Sequence, residues 1–432
     1  MNGPPWLASP FRAFYLLGAG FAVLWMAATA WSFATGSAGP AAHRHAHEMI
    51  FGFALAIVVG TALTALPSWA GMAEVGRGPL AGLAAAWAAG RVACAAGDSL
   101  PPAVAGAIDL ALPALLVALL MPMLARLPRR RWLLLPVLLA GLGAANLLWH
   151  VAQARGDAAG AAQAVRLALW PIVVMFSLAG GLLTPVFTAN VLRAAGLEPP
   201  APPRLALEVA ALLALLALAA CDLTGAEAGP TALAATAACV LQAWRVARWR
   251  GWRVAWGRGW QPARHGRTGA RASEGAGQRA GQRGDEVERA DARDLLVLAM
   301  HLGFAWLLVA LALRGAAAAG APLPASSWVH AFTVGALGAM MLGLMTRVAL
   351  RHTGRPAVAP RGFGLWLALA SVAAALRVGA PWLGPWAHAA AAAAWALVFA
   401  AWLAQHGVDL VSPSLPRVAT HGAGGTRGPT PG

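Results

Sequence analysis

Apolar residues fill this chain in runs of about 20, each long enough to cross the hydrocarbon core of a bilayer as a helix. Twelve such runs begin near residues 11, 47, 79, 103, 132, 163, 205, 230, 294, 326, 363 and 386. Short clusters of glycine, proline or charge separate them: Gly36–Pro40, Gly76–Pro79, Ser99–Pro102, Arg129–Arg131, Pro199–Pro203 and Gly320–Pro324. The pattern predicts an all-α polytopic membrane protein with about 12 transmembrane helices. Composition agrees: 59% hydrophobic and 11% charged residues over 432 positions leave too little polar surface to coat soluble domains. Ala28-Thr29-Ala30 imitates a signal-peptide cleavage site, but the first run is long for that role and is read as a span.

Charge then orients the spans. All 32 basic residues are arginine, and the formal net charge is +16. With twelve spans, 25 arginines fall in loops on the N-terminal side, four in the opposite loops and three within spans. The positive-inside rule therefore places both termini in the cytoplasm. The positive charge reports topology and calls for no nucleic acid. The Arg/Gly-rich stretch 249–292 is the one sizeable soluble segment. Trp249, Trp252, Trp256 and Trp260 among its arginines suggest a basic amphipathic helix on the headgroups of the lipid bilayer. The rest of that stretch, and the tail 413–432, are expected to be disordered. Cys94, Cys221 and Cys239 lie within apolar runs without a CxxC and read as small buried apolar residues.

Ionisable residues inside spans are costly and mark pathways or sites. His43, His45, His47, Glu48, Arg91, Asp109, His150, His330, Arg377 and His388 all fall near one depth on the non-cytoplasmic side. Arg347, His352 and His406 lie at the inner surface, and His301 one or two turns into the ninth span. Histidines gathered at one depth point to metal or haem, because imidazole is the commonest metal ligand. Arg91 and Arg377 are suited to haem propionates. Zinc fits less well, since no thiolate accompanies the imidazoles in this reading.

In the run His43-Arg44-His45-Ala46-His47, alternate residues share a face only in extended chain. His43 and His45 thus suit a loop copper chelate, with His47 entering the helix. A second pattern joins two spans. His47, Gly52, Ala56 and Gly60 repeat as His330, Gly335, Ala339 and Gly343, with the small residues opposite the histidine. The match hints at two related helices flanking one site. Met340, Met341 and Met345 read as packing residues rather than copper ligands.

Several segments resemble the NnrS family of bacterial membrane proteins. They include Pro10-Phe11-Arg12, His45-Ala46-His47-Glu48-Met49-Ile50-Phe51-Gly52, Thr64 to Gly71, Gly90-Arg91 and Asn146 to His150. In the second half they include His301 to Leu307, His330 to Arg347 and His352-Thr353-Gly354-Arg355-Pro356. The resemblance implies one membrane domain over 1–432 in the bacterial inner membrane, binding haem and copper and belonging to the response to nitric oxide. His45, His47, His150, His301, His330 and His352 are carried over as candidate ligands, unassigned between the two groups. Arg44 stands where tryptophan is usual and Leu182 where arginine is usual, and 257–289 resembles an insertion.

Three functions compete on this reading. One is a haem/copper protein that binds nitric oxide or relieves iron-nitrosyl damage, with His43, His45, His47, Glu48 and His330 as metal candidates. Another is a membrane transporter with a polar gate on the outer side, disfavoured because the inner half offers few polar groups to continue a path. The third is a metal chaperone or oxidase-like redox enzyme.

Overall fold

A computed structural model of the chain describes residues 3–37, 42–127, 134–256 and 294–416. Each apolar run falls on one long helix: α1 (Pro10–Thr35), α2 (Ala42–Ala70), α3 (Arg77–Ala95), α4 (Pro102–Ala125), α5 (Leu134–Ala154) and α6 (Ala158–Ala194). Then come α7 (Leu205–Thr224), α8 (Ala228–Arg248), the short α9 (Gly251–Trp256), α10 (Leu295–Ala318), α11 (Ser326–His352), α12 (Phe363–Leu383) and α13 (Pro385–Val411). Among the described residues there is no strand, and ten helices are long and apolar enough to cross a membrane. The helices α3 and α8 are of similar length but less apolar.

Helix starts differ from the apolar runs in two places. Helix α2 opens at Ala42, so the histidine run is helical rather than extended. Helix α6 opens at Ala158, where the Asp157 carboxylate accepts from the Gly160 N–H and caps it. Near 249, Trp249 is buried with its ring 4.7 Å from that of Phe304, so it anchors the chain to the bundle instead of lying on lipid. Beyond it α9 carries Trp252, which is exposed, and residues 257–292, with Trp260, and most of the 413–432 tail lie outside the described residues.

The chain repeats itself as three four-helix units: α1–α4, α5–α8 and α10–α13. At one constant offset, Gly20-Phe21-Ala22, Gly52, Gly71 and Pro102 of the first unit become Gly303-Phe304-Ala305, Gly335, Gly354 and Pro385 of the third. Gly71 and Gly354 follow the second helix of their units with φ of 64° and 80°, conformations that disfavour any residue with a Cβ. A second constant offset relates Gly52, Gly97 and Pro102 to Gly180, Gly225 and Pro230 of the middle unit. In every unit the second helix carries a π-helical segment: Glu48–Ala54, Phe176–Gly180 and Ala331–Leu337.

Contacts between units close a ring. The last helix of each packs on the first helix of the next, α4 on α5, α8 on α10 and α13 on α1. The π-bearing second helices are the most enclosed, 72%, 67% and 67% buried against 50% or less in the other spans. Lipid tails supply no hydrophobic drive for helix association, so close approach must come from small residues and shape. The π-segment glycines provide it. A Cβ on Gly52 would sit 2.3 Å from the Phe21 ring, and one on Gly335 would sit 2.5 Å from Trp306. Met340, beside Gly180 and Gly303, and its neighbours Met341 and Met345 are buried packing residues.

Gly52→Leu should therefore force α1 away from α2 and destabilise the protein by about 1–3 kcal/mol. Gly20→Ala, with no atom within 4 Å of the added Cβ, should be neutral or stabilising. Thermal unfolding in detergent, followed by tryptophan fluorescence, measures both. Equal midpoints for the two variants would contradict the close-packing role of Gly52.

Candidate functional site

The polar residues gather at the end of the bundle where α2, α4, α11 and α13 begin and α3, α5 and α12 end. Helix α2 brings His47 and Glu48 there, on the turn where its π-segment starts. Arg91 and Cys94 lie one turn apart on α3, Asp109 sits two turns into α4, and Asn146 and His150 lie one turn apart on α5. All seven side chains are buried.

Arg91 is the centre of this cluster. Its Nη1 donates to Glu48 Oε2 at 2.6 Å, and its Nη2 donates to Asp109 Oδ1. The second carboxylate oxygen of Asp109 accepts from Asn146 Nδ2 at 2.9 Å and lies 3.0 Å from His150 Nε2. His47 is held from both sides, by Glu48 Oε1 at 3.1 Å from Nδ1 and by Asn146 Oδ1 at 2.8 Å from Nε2. Trp149 stacks on the His47 ring at 3.8 Å between centroids, closing the remaining face. Two glycines permit this density. A Cβ on Gly90 would lie 2.7 Å from Asp109 Oδ1, and one on Gly106 would lie 3.1 Å from the His150 ring.

Single ligand atoms of His47, Cys94, Asp109 and His150 lie within 4.8 Å of one another, a grouping able to hold a metal ion. A cavity of about 570 Å³ adjoins it, with Glu48, Arg91 and Cys94 in its lining. Phe21 and Trp25, stacked at 5.8 Å, form part of the apolar wall, and His43, Arg44 and Gln153 are also in the lining. Arg44 Nη2 donates to the Cys94 carbonyl, which ties the entry of α2 to α3.

The structure separates other expected ligands from this group. In a helix, residues two apart point about 200° from one another, so His43 and His45, like His45 and His47, do not share the face that an extended chain would give them. Trp25 Nε1 donates to His45 Nδ1 at 3.3 Å, on the α1 side of the helix, whereas His47 faces α4 and α5. His330 and Arg377 belong to the third unit, and the two related helices each hold their histidine among different neighbours. His301 is at the other end of the bundle, 2.9 Å from Thr188 Oγ1. His352 also lies there, its ring 5.5 Å from that of Phe11. Arg91 is engaged by two carboxylates through its forked nitrogens, while its Nε has no hydrogen-bond partner. Cys94 corrects two readings: it is a member of the cluster, and it supplies the thiol whose absence counted against zinc. Its spacing of one helical turn from Arg91 was the available signal.

Removing one partner of a buried ion pair costs about 3–5 kcal/mol, whereas replacing the whole set by neutral groups costs far less. Arg91→Leu alone should thus sharply lower the unfolding midpoint in detergent. The triple variant Arg91→Leu, Glu48→Gln, Asp109→Asn should recover most of the loss. A triple variant less stable than the single one would show that the charges are not balanced within this cluster.

No curated protein matches this chain. The family model described as NnrS protein matches residues 5–258 and 288–414, which takes in every helix described above. The chain belongs to the NnrS family.

Proposed function

We propose that this chain is a bacterial inner-membrane protein of twelve crossings with cytoplasmic termini, which binds copper and haem and acts in the nitric-oxide response. Its substrate in this reading is nitric oxide itself or an iron-nitrosyl species. Family membership supports the response, the arginine distribution supports the orientation, and ten apolar helices support the membrane setting. The observation that carries the metal reading is the buried donor set His47, Cys94, Asp109 and His150, with donor atoms within 4.8 Å.

The chemistry of this set fits a soft or borderline cation. One thiol and two imidazoles suit copper, and zinc is the competitor. Glu48 and Asp109 against Arg91 leave one excess negative charge in the cluster, which a bound cation offsets. Bound there, copper supplies an electron-accepting and ligand-binding centre. The chain's own residues position it. Arg91 fixes the two carboxylates, Asn146 bridges Asp109 to His47, and Trp149 covers the His47 ring. Nitric oxide is small and apolar, so it reaches the cavity from the bilayer without a polar path.

Protein purified in detergent is expected to carry bound metal, and Cys94→Ser and His150→Ala should each lower its content by half or more. Affinity should rise with pH, because thiol and imidazole must shed protons to bind metal. Metal analysis together with a visible spectrum before and after nitric oxide tests the proposal. Protein with neither metal nor haem, and no spectral response, would refute it.

A further inference from the structure

The cavity beside the Cys94 cluster is far larger than a diatomic molecule needs. Its volume of about 570 Å³ falls among pockets that hold whole organic ligands, roughly 300–1,000 Å³. Helix α1 supplies one wall, and α2, the end of α3 and the last turn of α5 supply the rest.

The α1 wall is aromatic and fixed in place. Phe21 and Trp25 lie one turn apart with ring planes within 16° of parallel. The Trp87 ring meets Phe21 edge-on at 5.7 Å, and the Trp25 N–H is spent on His45. The Thr29 hydroxyl turns back to the Trp25 carbonyl at 2.8 Å, so α1 offers the cavity no uncommitted polar group. One edge borders the bilayer. Ala28 of α1 and Ala95 of α3 are exposed members of the lining, and Leu24, one turn from Ala28 on the same helix face, is 74% exposed. A large apolar side chain so exposed on a membrane span faces lipid.

The opposite side is polar but close to neutral. Both Glu48 oxygens are engaged, one by His47 and one by Arg91. Arg44 and Arg91 against Glu48 and Asp109 give the surroundings no net formal charge, so nothing there selects an anionic lipid headgroup. Three groups remain for a ligand. The side chains of His43 and Gln153 have no hydrogen-bond partner among the described residues, and Arg44 uses only Nη2, on the Cys94 carbonyl. A plain hydrocarbon chain would leave these groups unused. A flat, neutral ring with oxygens on opposite edges would use both sides of the cavity: its face on the aromatic wall, its oxygens on α2 and α5, and its tail in the bilayer. Quinones and their quinols are the molecules of the bilayer with this build.

We propose that this cavity binds the ring of a membrane quinol or quinone, stacked on Phe21 and Trp25, with its oxygens held by Gln153 and by His43 or Arg44. The consequence rests on the copper reading, because the site places a bilayer electron carrier against Cys94. Binding itself needs no metal.

The test measures equilibrium binding of tritiated decylubiquinone to the full chain in detergent, with metal and haem content determined in parallel. Decylbenzene, which has ring and chain but no oxygens, should compete at least about tenfold less well than unlabelled decylubiquinone, the order of two neutral hydrogen bonds. Gln153→Leu should weaken binding about three- to tenfold. Ala28→Trp, which fills the lipid-side edge, should abolish binding with its unfolding midpoint unchanged, and Leu24→Trp should bind as wild type does. Equal competition by decylbenzene, or by phosphatidylglycerol, would overturn the proposal and mark the cavity as a lipid groove. So would wild-type binding by both Gln153→Leu and Ala28→Trp. Metal without quinone binding would overturn this proposal alone. Quinone binding with neither metal nor haem would support the cavity assignment and overturn the function proposed above.

Discussion

A single guanidinium holds together three helices of the first unit, and one of the carboxylates it binds ties that unit to its neighbour. Arg91 of α3 binds Glu48 of α2 and Asp109 of α4, and Asp109 in turn engages Asn146 and His150 of α5. In water such a network contributes little, but at membrane depth each member is costly alone, so the helices must meet where the charges find partners. This requirement sets the positions of Gly90 and Gly106, which leave room for Asp109 and His150. It also aims the donor atoms of His47 and Cys94 at the same point.

Ring closure by three like units multiplies this arrangement and lets it diverge. The backbone plan is common: a π-segment in the second helix, a glycine within it, and contact between the last helix of one unit and the first of the next. The side chains differ. The first unit gathers Glu48 and Asp109 on Arg91, the middle unit pairs Asp222 with Arg314 of the next, and Arg377 of the third has no ion-pair partner among the described residues. π-Segments are frequent at functional sites because the widened turn re-aims side chains. Here two of the three start immediately after a histidine, His47 and His330.

Most of the helix plan was legible in the chain, since the apolar runs and their Gly/Pro breaks are local properties. The layer of polar residues was legible too, because depth follows from distance along a helix. What failed at this level was direction. The histidine run looked like an extended chelate because nothing local announced that α2 opens at Ala42. Cys94 looked like an apolar filler because its partners lie on α2, α4 and α5, far away in sequence. His301 and His352, which share the family signal of His47 but fall at the inner depth in the sequence, do stand at the opposite end of the bundle.

The sequence by itself determined that the chain is a bundle of membrane helices and that its unusual charges share one depth. Both follow from the one-dimensional pattern of apolar and polar residues. Only the tertiary structure decided which charges meet, because that depends on helix rotation and on which units are neighbours in the ring. Arg91 and Arg377 look alike as intramembrane arginines. One is enclosed by two carboxylates and the other has no ion-pair partner among the described residues, and that contrast arises only when the helices are packed around them.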